Sequence, residues 1–113
     1  MKIGKMLKSG DVILAKVQFA DTFETKSRPA LILFKEYENI ILAGVTSNKN
    51  MKGIALSRKD GAMKDSVIKL NYIFTISENM ISKTLFHLSN EKKEEVYSQL
   101  AKKLKQLTTS ANL

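Results

Sequence analysis

Apolar and polar residues alternate from Val12 to Phe19, which puts Ile13, Ala15, Val17 and Phe19 on one side of an extended chain and Val12, Leu14, Lys16 and Gln18 on the other. A polar stretch follows, Ala20-Asp21-Thr22-Phe23-Glu24-Thr25-Lys26-Ser27, too long for a tight hairpin and expected as a surface loop with Phe23 at its tip. Two aliphatic runs, 29–34 and 39–46, are separated by Lys35-Glu36-Tyr37-Glu38 and read as a hairpin. Further short strands are expected at 53–57 and 66–76, joined by Arg58-Lys59-Asp60-Gly61 with its Asp-Gly turn signal. Many short strands with turns between them predict a small, mainly β barrel.

From Ser89 the period changes. Val96, Leu100, Leu104 and Leu107 are spaced four, four and three apart, with Glu91, Glu94 and Glu95 early and Lys102, Lys103 and Lys105 late. This is an amphipathic helix capped by Ser89 or Asn90, its charges ordered to suit the helix dipole. The leucine stripe is expected to pack on the barrel, because a polar face of mixed sign does not suit a membrane surface.

Composition narrows the chemistry. At 113 residues and 43% apolar content the chain supports one domain with one modest core. No apolar run reaches the length of a membrane span and the first residues lack a signal-peptide block, so a cytoplasmic protein is expected. There is no Cys and a single His, His87, so disulfides, thiol catalysis and a His or Cys metal cluster are excluded, and no cofactor or metal is expected. His87, flanked by Leu85-Phe86 and Leu88, reads as a residue at the edge of the core. The formal charge of +8 favours a polyanionic partner, nucleic acid foremost, because Lys and Arg near phosphates release condensed counterions.

Only two of the nineteen basic residues are Arg, Arg28 and Arg58. Where charge alone suffices this chain uses Lys, so Arg28, set directly before Pro29, suggests a need for a planar guanidinium that grips two phosphate oxygens at once. Pro29 pushes Arg28 toward extended geometry and marks a strand entrance.

The order Gly10-Asp11, apolar strand to Phe19, polar loop, Lys26-Ser27-Arg28-Pro29-Ala30, aliphatic strand, and then Gly44-Val45-Thr46-Ser47-Asn48 resembles the MazF/PemK-like toxins of toxin-antitoxin pairs, over roughly residues 9 to 107. That resemblance implies an SH3-like barrel that pairs into a homodimer. It also implies a metal-independent endoribonuclease acting on single-stranded RNA rather than DNA, inhibited by an antitoxin protein lying in the substrate groove. In the implied reaction the ribose 2′-hydroxyl attacks the adjacent phosphate and leaves a 2′,3′-cyclic phosphate. Arg28 and Thr46 match the family's phosphate-stabilising pair, and Glu24, or else Asp21, is the candidate base. Lys26, Ser47, Asn48, Lys69 and Asn71 are the candidate substrate-binding residues. Some relatives carry an Arg and an Asp two apart in the strand after the Asp-Gly turn. Here Lys69-Leu70-Asn71 stands instead, replacing a carboxylate with an amide. The rival readings are a catalytically silent RNA- or protein-binding homologue and a gyrase-inhibiting barrel toxin.

Overall fold

The computed structural model describes residues 6–18, 25–48 and 50–109. Six strands, β1 (Asp11–Gln18), β2 (Thr25–Glu36), β3 (Asn39–Thr46), β4 (Ile54–Leu56), β5 (Ser66–Ser77) and β6 (Ile81–His87), precede one helix, α1 (Asn90–Leu104). They form one antiparallel sheet in the order β4-β5-β3-β2-β1-β6 that curls into a half-barrel. The mainly β barrel with a C-terminal helix expected from the sequence is therefore the fold observed.

Apolar side chains are buried on both faces of this sheet, where the composition suggested a single core. Along β2 the successive residues Leu31 and Ile32 are 1% and 2% exposed, although they point in opposite directions. Leu31 joins Val12, Ala43, Leu56, Ile68, Leu88 and Val96 under the helix. Ile32 joins Ile13, Ala15, Ala30, Ile40, Leu42 and Ile81 on the other face. Central strands of a strongly curled sheet are covered on both sides, and their sequence then runs continuously apolar.

Two irregularities shape the surface. Pairing of β2 with β3 ends at Ala30–Gly44. Beyond that point β2 continues against β1 alone, down to Gln18–Thr25, while Val45 and Thr46 of β3 continue against Ile68 and Val67 of β5. Pro29 has no N–H with which to extend a ladder, and the two strands splay from it onward. The second irregularity lies in β5. Ala43 of β3 is opposite Ile73, but the next residue, Gly44, is opposite Lys69, so Leu70, Asn71 and Tyr72 have no partner on β3. A bulge of this kind bends a strand and re-aims its side chains.

Three differences from the sequence reading have physical reasons. β2 begins at Thr25, so Arg28 lies inside a strand opposite Ala15 and not at a strand entrance; β1 supplies the pairing that extends it. β6 was not anticipated because it is an edge strand, with only Ile81 of its residues buried, and it shows no alternation. In α1, Ser89 caps the first turn by accepting the Lys92 N–H at 3.1 Å, as expected. Its stripe reaches the core only through buried Val96 and half-buried Leu100, whereas Leu104 and Leu107 are 55% and 83% exposed. The helix leaves the sheet before its last turns.

Candidate functional site

The splay between β2 and β3 is where the candidate residues converge. Residues two apart in a strand share a face, and partners across an antiparallel pair do so too. Arg28 therefore lies on the same face as Ala30 and Ile32 along β2 and as Ala15 across from it on β1. Thr46 shares that face with Gly44 and Leu42 along β3. Gly44 lines the smaller of two clefts at this splay, and Ala15 and Ala30, on the same face, are buried in the core beneath.

Two clefts meet at this splay, of about 210 and about 440 Å3, and Arg28, Pro29, Val45 and Thr46 line both. Lys69 lines the smaller cleft and Lys64 the larger; no Asp or Glu among the described residues lines either. The smaller cleft is below the size that encloses a small-molecule ligand, and an open cationic groove suits a segment of a polyanion. The Thr46 hydroxyl accepts the Asn48 N–H at 3.1 Å, which fixes the oxygen and leaves its own O–H to donate. A guanidinium, an ammonium and an oriented hydroxyl lining one cleft are groups that can donate together to the oxygens of a phosphate.

The structure separates the other candidates. Lys69, half-buried, lies directly opposite Gly44 and lines the smaller cleft with it. Ser47 lines the larger cleft. Asn48 turns its carboxamide oxygen to the Asn50 N–H at 3.0 Å and holds the turn after β3. Asn71, on the bulge, faces a different hollow between β4, β5 and α1, shared with Glu95 and Gln99. Lys26 is exposed on β2, opposite Val17. Glu24, Asp21 and Phe23 lie outside the described residues.

Three residues of the smaller cleft were not singled out in the sequence: Met51, Tyr72 and Phe74. Tyr72 stands three residues from Lys69, a spacing that puts side chains on opposite faces of a regular strand. The bulge, which inserts an odd number of residues, brings both into one cleft. No local pattern reveals this.

The Gly10-Asp11 pair that begins β1 has a structural role away from this groove. Asp11, 4% exposed, accepts the Lys8 N–H at 3.0 Å and lies 2.7 Å from His87 Nδ1. Lys93 of α1 reaches His87 Nε2 at 3.0 Å. An ammonium can only donate, so Nε2 accepts and the ring proton sits on Nδ1, facing the carboxylate. Gly10 has φ +98°, and a Cβ there would come within 2.6 Å of Lys93 and 3.0 Å of His87. The motif thus ties strand, edge strand and helix together, and His87 is the edge-of-core residue expected.

Comparison with known proteins agrees with this fold. A family model described as "PemK-like, MazF-like toxin of type II toxin-antitoxin system" matches residues 8–104. Among solved structures the chain is similar to a mycobacterial endoribonuclease determined in complex with its cognate antitoxin, with a TM-score of 0.70 and 13% identity, over 87% of this chain and 94% of that one. It is also similar to the Mycobacterium tuberculosis toxin MazF-mt6, with a TM-score of 0.62 and 20% identity, over 80% of this chain and 90% of that one. No curated protein matches the sequence.

Proposed function

The chain belongs to the PemK-like, MazF-like family of type II toxin-antitoxin toxins, and from that premise we propose that it is an endoribonuclease that cuts single-stranded RNA without a metal ion. The observation that carries this is that Arg28 and Thr46, on either side of the β2–β3 splay, line the same two clefts, the smaller of which Lys69 also lines.

In the proposed reaction the 2′-oxygen of a ribose attacks the adjacent phosphorus, the bond from phosphorus to the 5′-oxygen breaks, and a 2′,3′-cyclic phosphate and a 5′-hydroxyl result. Arg28 grips two non-bridging oxygens as they gain charge in the pentavalent transition state, and the Thr46 hydroxyl donates to one of them. Their preorganisation supports the assignment: Thr46 is held by the Asn48 N–H, and Arg28 is set in a paired strand. The proton leaving the 2′-hydroxyl needs an acceptor, and the leaving 5′-oxygen needs a donor. Glu24, a few residues before Arg28 in the chain, is the proposed group for the first, and water in the open cleft supplies the proton for the second. Among the described residues no three His, Asp or Glu side chains gather into a metal site.

Unpaired bases suit this groove because an open cleft can receive splayed nucleotides, and the 2′-hydroxyl the reaction consumes distinguishes RNA from DNA. The proposed inhibitor is an antitoxin segment that occupies the same cationic groove, and the proposed assembly is a homodimer. Exposed Met63 and Leu85, which line the larger cleft, supply apolar surface for either contact. The test is incubation with a long single-stranded RNA in EDTA followed by analysis of the ends. Cleavage with cyclic-phosphate and 5′-hydroxyl termini is expected. Cutting that stops in chelator and returns with magnesium would overturn the mechanism, and no cutting under any condition would favour the silent homologue.

A further inference from the structure

Tyr72 has no role in the chemistry above, yet it is built into the groove with unusual care. Its ring lies so close over the backbone of Gly44 that a Cβ on that residue would sit 2.6 Å from the ring carbon Cδ2, so only glycine permits this seat. Phe74 backs it, with ring centroids 5.1 Å apart and planes tilted by 31°. The Lys69 ammonium is 5.9 Å from its centroid. Despite these neighbours the tyrosine is 49% exposed, and it lines the same cleft as Arg28 and Thr46.

A large aromatic side chain half in water, propped by a second ring and a glycine, is poorly explained by core packing. Leu70, its neighbour on the bulge, is the residue that reaches the core. Cation and aromatic ring side by side are the two components of single-strand recognition: the ammonium attracts the backbone and the ring stacks a base. We propose that Tyr72 is a base-stacking platform on which an unpaired nucleobase beside the scissile phosphate rests while Arg28 and Thr46 hold that phosphate. This rests on the ribonuclease reading and adds a binding and positioning residue to it. Stacking tolerates any base, so Tyr72 fixes the position of the strand along the groove, and edge recognition is left to other groups.

The experiment begins by mapping a cut in a long RNA. A short oligomer spanning that cut is then made with 2′-deoxyribose at the reacting position, so that it binds without reacting, and with the fluorescent base 2-aminopurine placed in turn on either side. Tyr72→Leu, which keeps an apolar cover over Gly44, should weaken binding on the order of tenfold to a hundredfold. It should also abolish the fluorescence quenching seen with the parent at one of the two positions. Tyr72→Phe should restore both affinity and quenching, and Tyr72→Trp should bind at least as tightly as the parent. The salt dependence should be unchanged in all three, because no phosphate contact is removed.

If the parent neither cuts nor binds RNA, the ribonuclease reading falls and the platform with it. If the parent cuts and Tyr72→Leu binds and quenches like the parent, the platform alone falls. It also falls if Tyr72→Leu weakens only an antitoxin peptide, since the ring then contacts protein and not RNA. Loss of folding in Tyr72→Leu would leave the Phe and Trp variants to decide, and failure of both to bind and quench like the parent would overturn the platform.

Discussion

Replacing Asp11 separates the structural role of the Gly10-Asp11 pair from the proposed reacting groove. Its side chain is 6% exposed and meets His87, 34% exposed, at 2.7 Å, while its other oxygen accepts the Lys8 N–H at 3.0 Å. Asp11→Ala removes both bonds to a charged acceptor, each worth about 1.5 to 3 kcal/mol when well shielded. His87 is partly open to water, and so is the surface around Lys8, so the lower end applies and the total is about 3 kcal/mol. Unfolding entropy of about 2.1 cal/mol/K per residue over 113 residues makes each kcal/mol worth about 4 °C, so Tm should fall by about 12 °C. Asp11→Asn should lose about half as much, because its single oxygen can serve Lys8 or His87 but not both. The assay is a thermal melt followed by circular dichroism, with RNA cleavage measured well below the transition. An Asp11→Asn protein that melts with the parent would refute the argument from buried hydrogen bonds. A fully folded Asp11→Ala protein whose cleavage falls by about 10²-fold, the loss typical of a removed transition-state donor, would place Asp11 in the chemistry instead.

Two further outcomes follow from the groove and the proposed assembly. Arg28→Lys and Arg28→Ala should each lose about 10²-fold to 10³-fold in turnover if the guanidinium fork is what stabilises the phosphorane, while the Lys variant keeps most of its RNA affinity because charge dominates that term; near-parental cleavage by Arg28→Lys would show that the fork is unnecessary. Light scattering at micromolar concentration should give a mass near twice the 12.7 kDa of the chain, and a monomer that still cleaves RNA would count against a site shared between two copies.

How much of this was legible beforehand differs by element, for reasons of range. The cap on α1 is local: Ser89 and the Lys92 N–H lie three residues apart, so sequence spacing contains the whole interaction. The face shared by Arg28 and Ala30, and by Gly44 and Thr46, follows from strand alternation in the same way. The reach of the leucine stripe was not legible, because whether Leu104 touches the sheet depends on where α1 crosses it, and periodicity is silent on that. β6 escaped because its stability comes from pairing with β1 across some seventy residues of chain, as in the Ser82 hydroxyl that donates to the Leu14 carbonyl.

The sequence by itself determined the residue types the site has available: one Arg held extended by Pro29, a Thr ending an aliphatic strand, a lysine-rich surface, and no thiol or histidine cluster for any other chemistry. It also determined which of these share a face along an unbroken strand, as Gly44 and Thr46 do, because alternation is a property of the backbone. Only the tertiary structure decided that Arg28 and Thr46 face one another across an open splay, that Asn71 turns away toward α1, and that Tyr72 joins Lys69 in the cleft. The physical reason is register. Each depends on which residue of one strand lies opposite which residue of another, and that is set by the packing of two cores on either face of a curled sheet, with Pro29 ending one ladder and a three-residue bulge shifting the next.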